Sequence, residues 1–164
     1  MKKLMLFVCL LTNVAFAQQD AKATFKNNVF LELLGNGGYA SFNYERIIFS
    51  HKKITIFPSI GISTFKTKDF TGTVNPDVII PLGLRMYYGS RHMFVFGLGQ
   101  TISSTVYLNP EDFEAKRSYK LSANVMLGYR INFKRINLQL AYTPIFENYN
   151  HYINWLGFSV GYKF

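Results

Sequence analysis

The sequence predicts an all-β chain, an eight-stranded antiparallel up-and-down transmembrane β-barrel, and three observations carry that expectation. The first is an alternation of apolar with small or polar side chains that recurs along most of the chain and matches the two faces of a strand. The second is ring content: aromatics make up 17% of the 164 residues, with 16 Phe, 11 Tyr and one Trp, a surplus expected where rings line two membrane interfaces. The third is a mean hydropathy of only +0.07. That near-neutral value excludes a bundle of membrane helices and suits a wall that is apolar outside and polar within.

The alternation is longest from Tyr119 to Phe133. Tyr119, Leu121, Ala123, Val125, Leu127, Tyr129, Ile131 and Phe133 share one face, and Lys120, Ser122, Asn124, Met126, Gly128, Arg130 and Asn132 share the other. Strands of water-soluble domains usually run about five or six residues, whereas one crossing a bilayer at a tilt needs roughly nine to eleven. Tyr119, Tyr129 and Phe133 stand where rings at headgroup depth belong.

Residues 1–17 read as a secretory signal peptide, with Lys2 and Lys3 ahead of an apolar run from Leu4 to Leu11, and Ala15 and Ala17 around Phe16 placing cleavage before Gln18. Cys9 follows Val8, where a lipid-modified cysteine wants a small neighbour, so it belongs to the leader. Removing the leader removes the sole cysteine and two lysines. The mature chain then has no disulfide or thiolate chemistry, and its formal charge falls from +9 to +7. Residues 18–23 form a polar periplasmic linker and residues 24–164 the barrel. The cations are scattered through turns, which points to lipid phosphates and not to nucleic acid.

The first strand is expected over residues 24–34, with Val29, Leu31 and Leu33 outward and Phe30 and Glu32 inward. It ends at Gly35-Asn36-Gly37-Gly38, whose Asn-Gly centre tolerates the positive φ of a tight hairpin. The second, residues 39–49, turns Ala40, Phe42, Tyr44 and Ile48 outward against Ser41, Asn43 and Glu45, and closes on the basic turn His51-Lys52-Lys53. In the third, Ile54, Ile56, Pro58, Ile60 and Ile62 oppose Thr55, Ser59, Gly61 and Ser63. Pro58 cannot donate to a ladder, which calls for a bulge beside it.

A polar loop over residues 66–76 leads to the fourth strand, 77–88, which carries Arg85 on its inner face, and Ser90-Arg91-His92 turns the chain into the fifth, 93–107. Residues 109–118 predict a short rim helix, with Asn109 as cap, Pro110 in the first helical position, Glu111 and Asp112 in the first turn and Lys116 and Arg117 in the last. After the sixth strand, Lys134-Arg135 turns into the seventh, with Ile136, Leu138, Leu140 and Tyr142 outward. Residues 148–152 form a loop. The eighth strand has Leu156, Phe158, Val160, Tyr162 and Phe164 outward and Gly157, Ser159, Gly161 and Lys163 inward. Short basic turns alternate with the other connections, which places both termini in the periplasm of a bacterial outer-membrane barrel.

A soluble, lipocalin-like binding barrel would show the same number of alternating strands. Volume decides between them, because an eight-stranded barrel has an interior only wide enough for its own side chains or one small ligand. The Ile, Leu, Phe and Tyr rows cannot all fit there, whereas the Gly, Ser, Thr and Asn rows can. The apolar wall is therefore expected to face lipid.

Over residues 23–164 the chain resembles the small outer-membrane barrels of the OmpX and OmpA transmembrane type, in the hairpin at 35–38, the alternating strands and the ending Gly157-Phe158-Ser159-Val160-Gly161-Tyr162-Lys163-Phe164. That ending resembles the signal by which the barrel assembly machinery recognises its clients, with Gly157, Tyr162 and Phe164 as its marks and Ser159 departing from the usual glycine. The resemblance implies residence among outer-membrane lipid and lipopolysaccharide as a monomer. It implies no cofactor.

Glu32, Glu45, Arg85, Lys120, Arg130 and Lys163 are charged yet fall on inward rows, which predicts a lumen network of ion pairs and hydrogen bonds rather than an ion path. His151, in an outer loop near Glu147, Asn148 and Asn150, invites comparison with barrels that deacylate lipid A at the rim. Their serine, two residues after the histidine, is here Ile153, so the nucleophile is lacking. His51 and His92 lie in turns at the other end, and the three histidines cannot share a metal. Asp69, Asp77, Glu111, Asp112 and Glu114 read as solvated loop charge. The expected function is non-enzymatic: a structural envelope component, or adhesion through the outer loops.

Overall fold

The computed structural model describes residues 25–63, 78–108, 114–147 and 151–164. The predicted leader, the linker, the loop 66–76 and the loop acids at positions 69, 77, 111 and 112 lie outside them. Eleven strand segments make eight continuous staves. They are β1 (Asn27–Gly35), β2 (Gly38–Arg46, continued by Phe49–His51), β3 (Ile54–Ile62), β4 (Val78–Gly89), β5 (His92–Leu108), β6 (Ala115–Asn132), β7 (Ile136–Tyr142, continued by Ile145–Glu147) and β8 (His151–Ile153, continued by Leu156–Lys163).

Each stave pairs antiparallel with its neighbour in sequence, and β8 returns to β1 from Asn28↔Lys163 to Leu33↔Phe158. The seam is extended by Asn27 N–H to the Phe164 carbonyl, 3.0 Å, and Phe164 N–H to the Asn27 carbonyl, 2.9 Å. Closure of this kind removes the unpaired edges that hydrocarbon cannot solvate. Burial alternates along the staves, with Leu31, Phe42, Ile60, Leu84, Phe94, Leu98, Leu140 and Phe158 exposed between inward neighbours.

The bulge expected beside Pro58 is present. Glu45 pairs with Ser59 but Phe49 pairs with Ile56, so Arg46, Ile47 and Ile48 of β2 face only Phe57 and Pro58 of β3. Pro144 interrupts β7 differently. Leu127↔Tyr142 and Asn124↔Ile145 keep one register across it, so the proline removes a donor without displacing the stave.

Three expectations are corrected. Lys116 and Arg117 are not in a helix: they pair with Tyr107 and Val106 as the start of β6, because the β5–β6 ladder continues past the neighbouring staves and satisfies their backbone groups. The rest of the predicted helix, 109–113, lies outside the described residues. His151 and Tyr152 belong to a strand, pairing with Glu147 and Phe146, not to a loop.

The third correction concerns the first hairpin. Gly35 pairs with Gly38 across a two-residue turn, but positive φ falls on Leu34 (52°) and Gly38 (82°) and not on the Asn-Gly centre. Leu34 breaks the alternation, since it and Leu33 are both exposed. The tip thereby folds over the lumen: Asn36 is 4% exposed, and its carbonyl accepts from Thr101 Oγ1 on the opposite wall at 2.8 Å.

Two substitutions test this architecture by urea unfolding in lipid vesicles. We expect Leu98→Arg, at an outward position 54% exposed, to cost about 2–4 kcal/mol, the penalty of a cation near the bilayer midplane. We expect Leu34→Gly to stabilise by about 1 kcal/mol, since a branched side chain in the left-handed region is strained.

Candidate functional site

The inward rows of eight staves converge on a narrow axis, and the residues that meet there form the candidate site. Glu45, on β2 just before the bulge, is fully buried. Its carboxylate accepts from Arg130 Nη1 of β6 at 2.7 Å, from Asn28 Nδ2 of β1 at 2.9 Å and from the Tyr87 hydroxyl of β4 at 3.0 Å. Arg85 Nη1 lies 3.8 Å from the same carboxylate. Arg85 also reaches Glu32, Nη2 to Oε1 3.7 Å, while the other Glu32 oxygen accepts the Asn36 N–H at 3.2 Å. Glu32 thus links the folded hairpin tip to the ion cluster.

Two guanidinium groups and two carboxylates make the cluster neutral. Both arginines also lie over rings, Arg85 4.5 Å from the Phe30 centroid and Arg130 4.1 Å from that of Tyr87, which suits a weakly hydrated planar cation away from water. Arg130 Nε donates to Gln139 Oε1 at 3.0 Å, carrying the network to β7, and Asn137 Nδ2 donates to Asn28 Oδ1 at 2.7 Å. Arg85 Nε and Arg130 Nη2 have no hydrogen-bond acceptor among the described residues. Chemically the cluster can tie walls together across the axis, because its charges are already opposed to one another.

Of the six predicted lumen residues, Glu32, Glu45, Arg85 and Arg130 come together. Lys120 does not. It has inward parity but is exposed, because Thr101↔Ser122 marks the level of the Asn36 tip and residues beyond it on β5 and β6 rise past the lumen. Lys163 is half-buried and joins no ion pair among the described residues; its Nζ donates to the Phe133 carbonyl at 3.0 Å, closing the end that carries the termini.

The inner face is also less polar than the sequence predicts. Phe57, Tyr87, Met93, Val95, Met126 and Ala141 form an apolar cluster inside the barrel, with Phe57 and Tyr87 edge to face at 5.0 Å. The parity of Tyr87, Met93 and Val95 within their staves was the available signal. These side chains plug the lumen below the ion cluster, as glycines thin it above: a Cβ on Gly99 would stand 2.5 Å from the Leu82 carbonyl oxygen and 2.7 Å from Asn124 Oδ1.

The residues of the assembly signal lie along β8. Gly157 is buried, where a Cβ would meet the Leu34 carbonyl oxygen at 2.8 Å. Tyr162 and Phe164 point outward and are exposed, and Arg135 Nη1 donates to the Tyr162 hydroxyl at 2.8 Å. His92 Nδ1 lies 2.7 Å from the Tyr129 hydroxyl. His51 closes the end of β2, at the barrel end opposite His151. Glu114 is exposed at the rim.

No family profile matches the chain, and no curated protein matches it. Among solved structures it is similar to the N-terminal β-barrel domain of Pseudomonas aeruginosa OprF, with a TM-score of 0.56 and 12% identity over 85% of this chain and 96% of that one. The fold is that of the small eight-stranded barrels of OmpA type.

The cluster is tested by removing one partner at a time. We expect Glu45→Ala to cost about 3–5 kcal/mol, because it takes the carboxylate from buried Arg130 and leaves the cluster with an uncompensated positive charge, and Lys120→Ala to change stability by no more than about 0.5 kcal/mol. Urea titration followed by Trp155 fluorescence reads both.

Proposed function

We infer that the chain is a bacterial outer-membrane barrel that conducts no solute, performs no catalysis and serves as a structural envelope component presenting an adhesive rim. The observation that carries this reading is the pairing of a predominantly apolar outer wall, interrupted by Gln100, with a lumen filled by its own side chains. Only lipid covers such a wall without cost. An interior occupied by paired ions, Asn36 and an apolar plug leaves no aqueous path.

The short turns at 52–53, 90–91 and 133–135 share one end with Lys26 and Phe164, which supports a periplasmic placement of that end. The alternating outward residues of β8, ending in Tyr162 and Phe164, support delivery by the barrel assembly machinery. On the opposite rim β5 and β6 stand about seven residues above the level of Thr101 and Ser122, roughly 24 Å of ladder at a strand's rise. They carry Tyr119, 72% exposed, with Arg117 and Lys120 nearby, beside lipopolysaccharide and within reach of other surfaces. The lack of a hydroxyl at Ile153 argues against rim deacylation.

An epitope inserted within 109–113 tests the placement. We expect antibody to label intact cells carrying it, and to label cells carrying the same epitope after Lys52 only once the outer membrane is permeabilised; the reverse pattern, or recovery of the protein in a soluble fraction, overturns the reading. In planar bilayers we expect no stable conductance steps from the wild-type barrel.

A further inference from the structure

We propose that the barrel end bearing the termini holds an anionic glycerophospholipid, its phosphate on Arg91 and the surrounding cations and one acyl chain in the groove between β4, β5 and β6. The proposal rests on the membrane reading above. It goes beyond that reading by assigning a lipid class and a place.

Charge is the first observation. Lys26, Lys52, Arg91, Lys134 and Arg135 ring this end in exposed positions, with Lys53 half-buried among them. Among the described residues no acidic side chain accompanies them: Glu32 and Glu45 are committed in the lumen, and Glu114 and Glu147 stand at the other rim. Among the described side chains the collar is therefore a field of one sign, and such a field selects anionic over zwitterionic headgroups.

Depth is the second. Directly above the turns stand outward rings, among them Phe49, Tyr88, Phe94, Phe133, Tyr162 and Phe164, the belt that marks the boundary between hydrocarbon and headgroups. The cations beyond that belt sit at phosphate depth. Arg135 is held there by its bond to the Tyr162 hydroxyl and by its place over the Phe25 ring, 5.7 Å from the centroid.

Shape is the third. Met86, Tyr88, Phe94, Phe96 and Leu127 line an apolar groove on the outer wall, with the backbone of Gly128 at its floor. Tyr88 and Phe94 flank the turn that carries Arg91, so headgroup and chain positions are adjacent in one place. On the periplasmic placement proposed above, lipopolysaccharide phosphates meet the other rim and the collar faces the glycerophospholipid leaflet.

Refolded protein in vesicles of equal parts phosphatidylglycerol and phosphatidylcholine, then diluted into detergent, tests this by mass spectrometry of the retained lipid. Heat-dependent gel migration scores folding and insertion separately. A single cation at an anionic surface contributes roughly fivefold, so we expect retained lipid to be enriched in phosphatidylglycerol by at least about that factor. Arg91→Gln should lower the enrichment and Lys52→Gln/Arg91→Gln/Lys134→Gln/Arg135→Gln should abolish it, as should high salt on the unaltered chain. Met86→Trp, filling the groove, should reduce retention of both lipids, while Lys116→Gln/Lys120→Gln at the other rim should change nothing. A folded, inserted barrel without headgroup preference, or with a preference that survives the fourfold substitution, overturns the proposal alone; a wild-type chain that does not insert overturns the membrane reading and the proposal with it.

Discussion

The carboxylate of Glu45 is the point through which the barrel wall is referenced to itself. It gathers donors from β1, β4 and β6 within 3.0 Å, and Gln139 of β7 is one bond further on through Arg130. Strand ladders fix only neighbours, whereas this group fixes staves that never touch. A buried ion pair gives little net stability over a hydrophobic filling, but removing one member is costly, and its directional bonds reject a stave that has slipped by a residue. The bulge that follows Glu45 releases β2 from this register once the cluster is satisfied.

Everything else in the lumen is subordinate to its width. With eight staves the axis has room for a few large groups only if their neighbours shrink, which is why Gly61, Gly97, Gly99 and Gly161 occupy the inward rows opposite Asn, Arg and Met side chains. The folded hairpin tip belongs to the same economy of space. Asn36 fills the upper lumen with backbone, and Glu32 and Thr101 satisfy its N–H and carbonyl at 3.2 and 2.8 Å.

The periodic features of the chain were legible from sequence because a period of two is a local property. Strand identities, the outward rows, the Pro58 bulge and the four buried ions all follow from parity and from the volume an eight-stranded interior allows. Parity ceases to mean "inside" where the wall ends, and that is a matter of relative stave height; Lys120 was misread for this reason, and only the Thr101–Asn36 contact sets the level. The helical end expected at Lys116 and Arg117 was a local capping pattern overridden by the hairpin ladder with Tyr107 and Val106. Leu34 in the left-handed region could not be read at all, since leucine disfavours it and tertiary contacts alone hold it there. The plug of Phe57, Met93, Val95 and Met126 was hidden by the assumption that an inward row is uniformly small or polar.

Closure joins β1 to β8 through pairs such as Asn28↔Lys163, separated by 135 positions. No shorter-range contact substitutes for that seam, so the wall cannot be completed while the last stave is still on the ribosome. Contacts of such high order form slowly, and until they do the chain displays alternating greasy strands with unpaired edges, the species most prone to aggregate. The topology therefore concentrates the hazard of misassembly in the interval between completion of the chain and closure of its first stave on its last.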